Sequence, residues 1–202
     1  LIAIVDYGAG NLRSVSKALD RLGAANVVTD DPRRVEAADR LILPGVGAFG
    51  ACVAGVRERG FEEAVRAFID SGRPFLGICV GLQILVETSS ESPESQGLGL
   101  IRGDCPRFDS GLKVPHMGWN EVRRTQAPSR LFAGAPPDAR FYFVHSYYIR
   151  PIGEDAQFVT AECDYGARFA AAFERDNLMA VQFHPEKSQR WGLKLLANFA
   201  SL

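Results

Sequence analysis

Pro74-Phe75-Leu76-Gly77-Ile78-Cys79-Val80-Gly81-Leu82-Gln83 is the stretch on which the fold turns. An apolar run from Phe75 to Ile78 ends at a cysteine set between Gly77 and Gly81, and a helix-like pattern follows. G-x-C-x-G has the layout of a nucleophile elbow with sulfur in place of a hydroxyl: a sharp strand-to-helix turn lifts one side chain above the end of a sheet. The flanking glycines keep side chains from crowding it. A helix opening after Cys79 turns its N-terminus toward the sulfur, which favours thiolate, the reactive form. The competing reading is a small buried cysteine at a strand end, because free cysteine packs as a small apolar residue. The rest of the chain decides between the two.

Upstream of this stretch, strand and helix patterns alternate. Leu1 to Val5 is a continuous apolar run, as in a strand covered on both faces. The turn Asp6-Tyr7-Gly8-Ala9-Gly10-Asn11 leads from it into a helix, with Asn11 as N-cap and Leu12, Val15, Ala18, Leu19 and Leu22 on one face. Gly23 stops that helix. Ala24 to Thr29 and Leu41 to Leu43 read as strands. Between them Asp31-Pro32 opens a short helix through Ala37. Pro44-Gly45-Val46-Gly47-Ala48-Phe49-Gly50 then forms a glycine-rich loop that brings backbone N–H groups close to a ligand. Helices follow around Ala51 to Glu58 and Phe61 to Ile69. The alternation predicts an α/β fold: a mostly parallel central sheet flanked by helices, with ligands bound at the carboxyl ends of the strands.

Downstream, the elbow helix is expected over about Leu82 to Thr88, and a polar stretch, Ser89 to Gly97, follows it. Beyond Leu98 the texture changes to short strands. Leu98 to Phe108, Gly118 to Arg123, Phe141 to Ile149, Ala156 to Cys163 and Arg168 to Glu174 are expected as antiparallel additions at the far side of the sheet. Arg175-Asp176-Asn177 reads as a hairpin turn into Leu178 to Phe183. Lys187 to Leu202 is a closing helix with Trp191, Leu195, Leu196 and Phe199 on its buried face.

The totals narrow the function. A length of 202 residues predicts a single domain over 1–202 with a sizeable core. A net charge of -1 without a basic run argues against nucleic acid as the main partner. Apolar stretches fall short of a membrane span, and Leu1 to Val5 is too short for a signal-peptide core, so a cytoplasmic location is expected. Cys52, Cys79, Cys105 and Cys163 lack C-x-x-C spacing. They are expected as reduced thiols, with no metal and no cofactor.

A nucleophilic thiol needs a base, and the base needs a group to orient it. Of three histidines, His116, His145 and His184, the last lies in Ala180-Val181-Gln182-Phe183-His184-Pro185-Glu186. There an apolar strand delivers it to a strand end, the kind of place Cys79 also occupies. Pro185 stops the strand, and Glu186 folds back to hold the imidazole. Cys79, His184 and Glu186 are therefore the expected catalytic triad for acyl transfer. Such a site also needs donors for an oxyanion. Val80 N–H is one, and the N–H of Val46 or Gly47 is the expected second.

With these motifs in view, the chain resembles the class I (triad) glutamine amidotransferases, whose fold is flavodoxin-like. The resemblance rests on Gly77-Ile78-Cys79-Val80-Gly81-Leu82-Gln83, His184-Pro185-Glu186 and Pro44-Gly45-Val46-Gly47. Asp6-Tyr7-Gly8-Ala9-Gly10-Asn11-Leu12-Arg13-Ser14-Val15 and Val114-Pro115-His116-Met117-Gly118-Trp119-Asn120 narrow it to the branch that serves imidazole glycerol phosphate synthase. Leu82 stands where the glutaminases of anthranilate and aminodeoxychorismate synthases usually carry histidine. The resemblance implies hydrolysis of L-glutamine through a cysteinyl thioester. It also implies a heterodimer with a (β/α)8-barrel cyclase that consumes the ammonia and releases imidazole glycerol phosphate and aminoimidazole carboxamide ribotide. It implies Gln83, Glu91, Ser146 and Tyr147 as glutamine-binding residues. Pro115, Met117, Trp119, Asn120 and Lys187 are implied at the partner interface. The resemblance implies that the peptide at Val46-Gly47 can rest in a non-productive orientation until the partner is loaded. A β-branched Val46 makes a flip to positive φ costly, so the isolated chain is expected to have low activity. The alternatives are a glutaminase serving another synthase, a stand-alone cysteine hydrolase, or a scaffold of the same fold without activity.

Overall fold

Strand β1 (Ile2–Val5) is buried along its whole length, as an unbroken apolar run must be when helices cover both faces of a parallel sheet. The computed structural model describes residues 1–109 and 111–202. Its first half alternates: α1 (Leu12–Arg21), β2 (Asn26–Thr29), α2 (Pro32–Glu36), β3 (Arg40–Gly45), α3 (Phe49–Glu58), α4 (Phe61–Asp70), β4 (Phe75–Cys79) and α5 (Val80–Gln83). Asp31 caps α2 by accepting from Arg33 N at 3.0 Å, with Pro32 in the first turn. Short strands follow: β5 (Thr88–Ser89), β6 (Gly103–Cys105), β7 (His116–Glu121), β8 (Arg123–Arg124), β9 (Arg140–His145), β10 (Arg150–Pro151), β11 (Val159–Asp164), β12 (Arg168–Arg175) and β13 (Leu178–Val181). Helix α6 (Gln189–Ala200) closes the chain.

Among the described residues the main sheet has eight strands in the order β2-β1-β3-β4-β13-β12-β11-β8. The strands from β2 through β13 run parallel, and β12, β11 and β8 are antiparallel. Register decides where the site lies. Gly45 pairs with Cys79, and Val181 pairs with Ile78. The carboxyl ends of β3, β4 and β13 therefore sit side by side, and the loops that follow them open on one edge.

The second half departs from expectation in several places. β13 does not extend the far side of the sheet; it is parallel to β4 and packs directly beside it. β7 and β9 pair only with each other, and β10, β6 and β5 form a small sheet of their own. The elbow helix stops at Gln83 instead of reaching Thr88. The carbonyls that would continue it are occupied: Ile84 O accepts from Leu98 N at 2.7 Å, and Leu85 O from Leu100 N at 2.8 Å and Ile101 N at 2.9 Å. At the C-terminus, Pro185–Lys187 form a 3-10 turn, so α6 begins at Gln189. Leu195, Leu196 and Phe199 are buried on it, while Trp191 is only partly covered.

Candidate active site

The elbow is built by backbone crowding. Cys79 ends β4 with φ of 55°, a left-handed conformation rare for a residue with a side chain and characteristic of functional turns. Behind it the chain passes so close to β3 that a Cβ on Gly81 would lie 1.9 Å from Leu43 O. A Cβ on Gly45 would lie 2.5 Å from Gly81 N. The glycines flanking the cysteine thus serve the approach of two backbones more than access to the sulfur. All four cysteines are free and buried. Burial pushes the thiols of Cys52, Cys105 and Cys163 up, the last to about 12, which keeps them protonated.

His184 follows β13, and its N–H donates to Tyr142 O at 2.9 Å. Ser188 ties the same turn down: its hydroxyl donates to His184 O at 2.6 Å and accepts from Tyr142 N at 2.9 Å. His184 Nδ1 lies 2.8 Å from Glu186 Oε1, and both side chains are almost entirely shielded from solvent. Asn11 Nδ2 donates to that same oxygen at 3.3 Å. Asn11 stands at the N-cap of α1, as the sequence predicts, but its side chain makes no capping bond and is turned to the carboxylate instead. Burial alone would lower the His184 pKa. Cys79 and Glu186 reverse that and raise it to about 10. Its Nε2 has no hydrogen-bond partner among the described residues and belongs to a residue that lines the same cavity as Cys79. Catalytic hydrogen bonds are commonly long before substrate arrives.

That cavity holds about 270 Å³ and is lined by Cys79 and His184 together with Val46, Gly47, Val80, Gln83, Glu91, Ser146 and Tyr147. The structure thus brings to one cavity the expected nucleophile, base, oxyanion donors and glutamine-binding residues. Glu91 Oε2 accepts from Phe49 N at 2.7 Å, which fixes the glycine loop at the start of α3. The carbonyl of Ser146 accepts from Phe108 N at 3.0 Å, and that of Tyr147 from Gln83 Nε2 at 2.8 Å. Both carbonyls are thus occupied within the chain. In the glycine loop, Val46 O accepts from the Cys52 thiol at 3.5 Å. A peptide is planar and trans, so the Gly47 N–H points to the opposite side, away from Cys52. The positive φ of the turn, 104°, is carried by Gly47, and Val46 is not among the residues with positive φ.

Among the expected interface residues, Met117 and Trp119 alternate with buried His116 along β7 and are 62% and 43% exposed. Pro115 is exposed and reaches the cavity. Lys187 is exposed and sits over the Tyr142 ring, 5.9 Å from its centroid. Asn120 is turned inward: Nδ2 lies 3.2 Å from His116 Nε2 and donates to Asp164 O at 2.9 Å. Sequence reasoning passed over His116 and His145, whose rings meet at 3.0 Å between Nδ1 and Nε2 in an aromatic cluster with Phe108, Phe143, Tyr165 and Phe169. The sequence marks Asn11 only as a helix cap and gives Cys52 and Gln182 no role in the site, because Glu186 and Cys79, the partners of Asn11 and Gln182, lie far away in the chain.

A profile of the family "Glutamine amidotransferase class-I" matches residues 3–201. The "Imidazole glycerol phosphate synthase subunit HisH" of Moorella thermoacetica is 53% identical over 201 residues, covering 100% of this chain and 94% of its own. The protein of the same name from Syntrophotalea carbinolica is 50% identical, with 100% of both chains covered. Among solved structures, a crystal structure of a glutamine amidotransferase superposes with a TM-score of 0.75 at 22% identity over 99% of each chain. A structure of PurLQS from Thermotoga maritima gives a TM-score of 0.75 at 19% identity, over 99% of this chain and 97% of its own.

Proposed function

This chain belongs to the class-I glutamine amidotransferases, and on that premise we propose how its residues hydrolyse L-glutamine for imidazole glycerol phosphate synthase in histidine biosynthesis. Full-length identity of 50% and more to HisH subunits supports that assignment over service to another synthase. The observation that carries the chemistry is the register of β3, β4 and β13, which sets Cys79, His184 and the glycine loop around one cavity.

The thiolate of Cys79 attacks the side-chain carbonyl carbon of glutamine. The electron pair of the carbonyl moves to oxygen, which the N–H groups of Val80 and Gly47 receive, with Val46 shaping the loop between them. As the tetrahedral intermediate collapses, His184 delivers its proton to the departing nitrogen, and ammonia leaves a thioester behind. Water then attacks the thioester and gives a proton to His184. The C–S bond breaks with its electron pair returning to sulfur, and glutamate departs. Glu186 orients the imidazole throughout and stabilises its charged form. Glu91 supplies a carboxylate for the substrate ammonium, Ser146 and Tyr147 supply backbone N–H for its carboxylate, and Gln83 supplies a carbonyl oxygen.

The ammonia passes to the cyclase partner, which is a (β/α)8 barrel by family resemblance and docks on the face carrying Pro115, Met117, Trp119 and Lys187. Residues 1–202 act as one domain in a cytoplasmic heterodimer. The test is ammonia and glutamate release by the chain alone and with the cyclase and its ligand. Low turnover alone and a marked rise with the loaded partner are expected, and Cys79→Ala should abolish both. Ammonium salts should still support the cyclase with that variant. Equal turnover with and without partner overturns the resting-state reading.

A further inference from the structure

Gln182 is completely buried two residues before His184, and its Nε2 lies 3.8 Å from Cys79 Sγ. An amide side chain has an accepting end and a donating end of the same shape, so the question is which one faces the sulfur. The backbone answers it. The Tyr147 carbonyl only accepts, and it takes His145 Nδ1 at 2.7 Å and Gln83 Nε2 at 2.8 Å. Gln83 must therefore present its NH2 group to Tyr147. The second hydrogen of that group reaches Gln182 Oε1 at 3.1 Å. With its oxygen occupied by Gln83, Gln182 has its own NH2 turned to Cys79. A one-way chain of donors runs from a main-chain carbonyl to the sulfur. Gln83 is 3% exposed and Gln182 0%, so bulk water does not compete along it.

We infer that Gln182 is a further catalytic residue: an N–H donor to the thiolate of Cys79, held in that sense by Gln83 and the Tyr147 carbonyl. The inference rests on the reading of Cys79 as the nucleophile. A thiolate accepts a hydrogen bond far better than a thiol does, so a fixed donor favours the charged form. The helix after Cys79 is a single turn, which leaves a direct donor more to do. His184 also stabilises the thiolate, but its charge comes and goes as it shuttles the proton. The Gln182 donor is neutral and permanent. It is in place when the C–S bond of the thioester breaks and the pair of electrons returns to sulfur.

The test is the pH dependence of Cys79 alkylation by iodoacetamide, followed by peptide mapping, in the full chain and in Gln182→Met. The methionine keeps the bulk and removes the donor. The pH midpoint of alkylation is expected to rise by about one unit, a tenfold change in the thiol–thiolate ratio, with the high-pH rate unchanged. Turnover with the loaded cyclase is expected to fall about tenfold with little change in the glutamine KM. Gln182→Met leaves a Gln83 donor without a partner, so Gln83→Met/Gln182→Met is measured beside it and should show the same displaced midpoint. An unchanged midpoint, or a rate lowered equally at every pH, overturns the inference. Glutamine hydrolysis that survives Cys79→Ala would instead overturn the nucleophile reading on which it stands.

Discussion

His184 Nδ1 lies 2.8 Å from Glu186 Oε1, and the same oxygen also takes the side chain of Asn11 at 3.3 Å. The carboxylate is therefore aimed by two donors on one oxygen, while its Oε2 is buried without a hydrogen-bond partner among the described residues. Glu186→Gln keeps the shape, removes the charge and sets an amide against the imidazole. Turnover with the loaded cyclase is expected to fall roughly ten- to a hundredfold, with the glutamine KM little changed, because the loss is felt when the imidazole is charged. Asn11→Ala is expected to cost only a few-fold, since Glu186 keeps its bond to His184. Steady-state hydrolysis of both variants checks this, and a larger effect from Asn11 than from Glu186 would reverse the assignment.

The three histidines pull stability in opposite directions with pH. Burial holds the folded-state pKa of His116 near 4 and that of His145 near 3, below the ordinary 6.5. The unfolded chain takes up protons below about 6.5 that the folded pair refuses, so stability is lost as pH falls toward 4 and then 3. His184, raised to about 10, has the opposite sign. Its contribution is complete below 6.5 and disappears as pH rises through 10. Urea unfolding from pH 3 to 10 should show maximal stability near neutrality, and His116→Gln should flatten the acid limb. The hydrogen bonds also fix the tautomers. His145 donates from Nδ1 to Tyr147 O, so its Nε2 accepts from His116 Nδ1. Nitrogen NMR of the folded chain should report Nδ1–H on both rings.

How much of this was written in the sequence follows from what is local. The elbow, the glycine loop and His184-Pro185-Glu186 each lie in one short stretch at a strand end, and a parallel sheet brings such ends together. What joins them does not repeat at any spacing. Gln182 meets Cys79 only because β13 packs beside β4 in the register Val181 to Ile78. Asn11 reads as a helix cap, and only the folded chain shows its amide spent on Glu186. The helix expected to Thr88 fails because Leu98, Leu100 and Ile101 take its carbonyls, a non-local bond that outweighs local propensity.

The Cys52 thiol donates to Val46 O at 3.5 Å, which holds the Val46–Gly47 peptide with its N–H on the other side. Tyr7 is buried nearby, and its hydroxyl finds no hydrogen-bond partner among the described residues. Cys52→Ala frees the carbonyl of the resting peptide and is expected to raise the turnover of the isolated chain about two- to fivefold, in line with the loss of a weak hydrogen bond. Cys52→Ser keeps a donor at that place and should return turnover to the parent level. Hydrolysis assays on the isolated chain decide, and equal changes in both variants would point to packing and not to the bond.

Gly81 is the tightest point of the elbow. A Cβ there would lie 1.9 Å from Leu43 O and 3.3 Å from the carbonyl carbon of Pro44, both backbone atoms in the sheet. Gly81→Ala must push β3 and α5 apart, and a loss of roughly 3 kcal/mol or more is expected from overpacking in a core. A Cβ on Gly72 meets nothing within 4 Å, but φ there is 78°, so Gly72→Ala pays only for backbone conformation. A loss of about 1 kcal/mol is expected there. Comparing the two by urea unfolding separates crowding from φ.

Trp119 presents a large ring on an exposed strand, and nothing in the chain's own core requires it there. It is 43% exposed and makes an edge contact with Tyr142 at 6.2 Å, and Lys187 covers the Tyr142 ring at 5.9 Å. Met117, two residues earlier on the same face, is 62% exposed. Strand alternation forces this arrangement, because His116 and Gly118 occupy the other side of β7. Aromatic anchors at the centre of an interface carry much of its binding energy, commonly about 2 kcal/mol or more each. Trp119→Ala is therefore expected to weaken binding of the cyclase by about thirtyfold or more while leaving the thermal midpoint of the isolated chain nearly unchanged. Lys187→Ala, at the rim of the same face, should cost less and more so at low salt, as an exposed charge does. Calorimetric titration at two salt concentrations measures both, and a Trp119→Ala chain that binds as tightly as the parent would move the interface off β7.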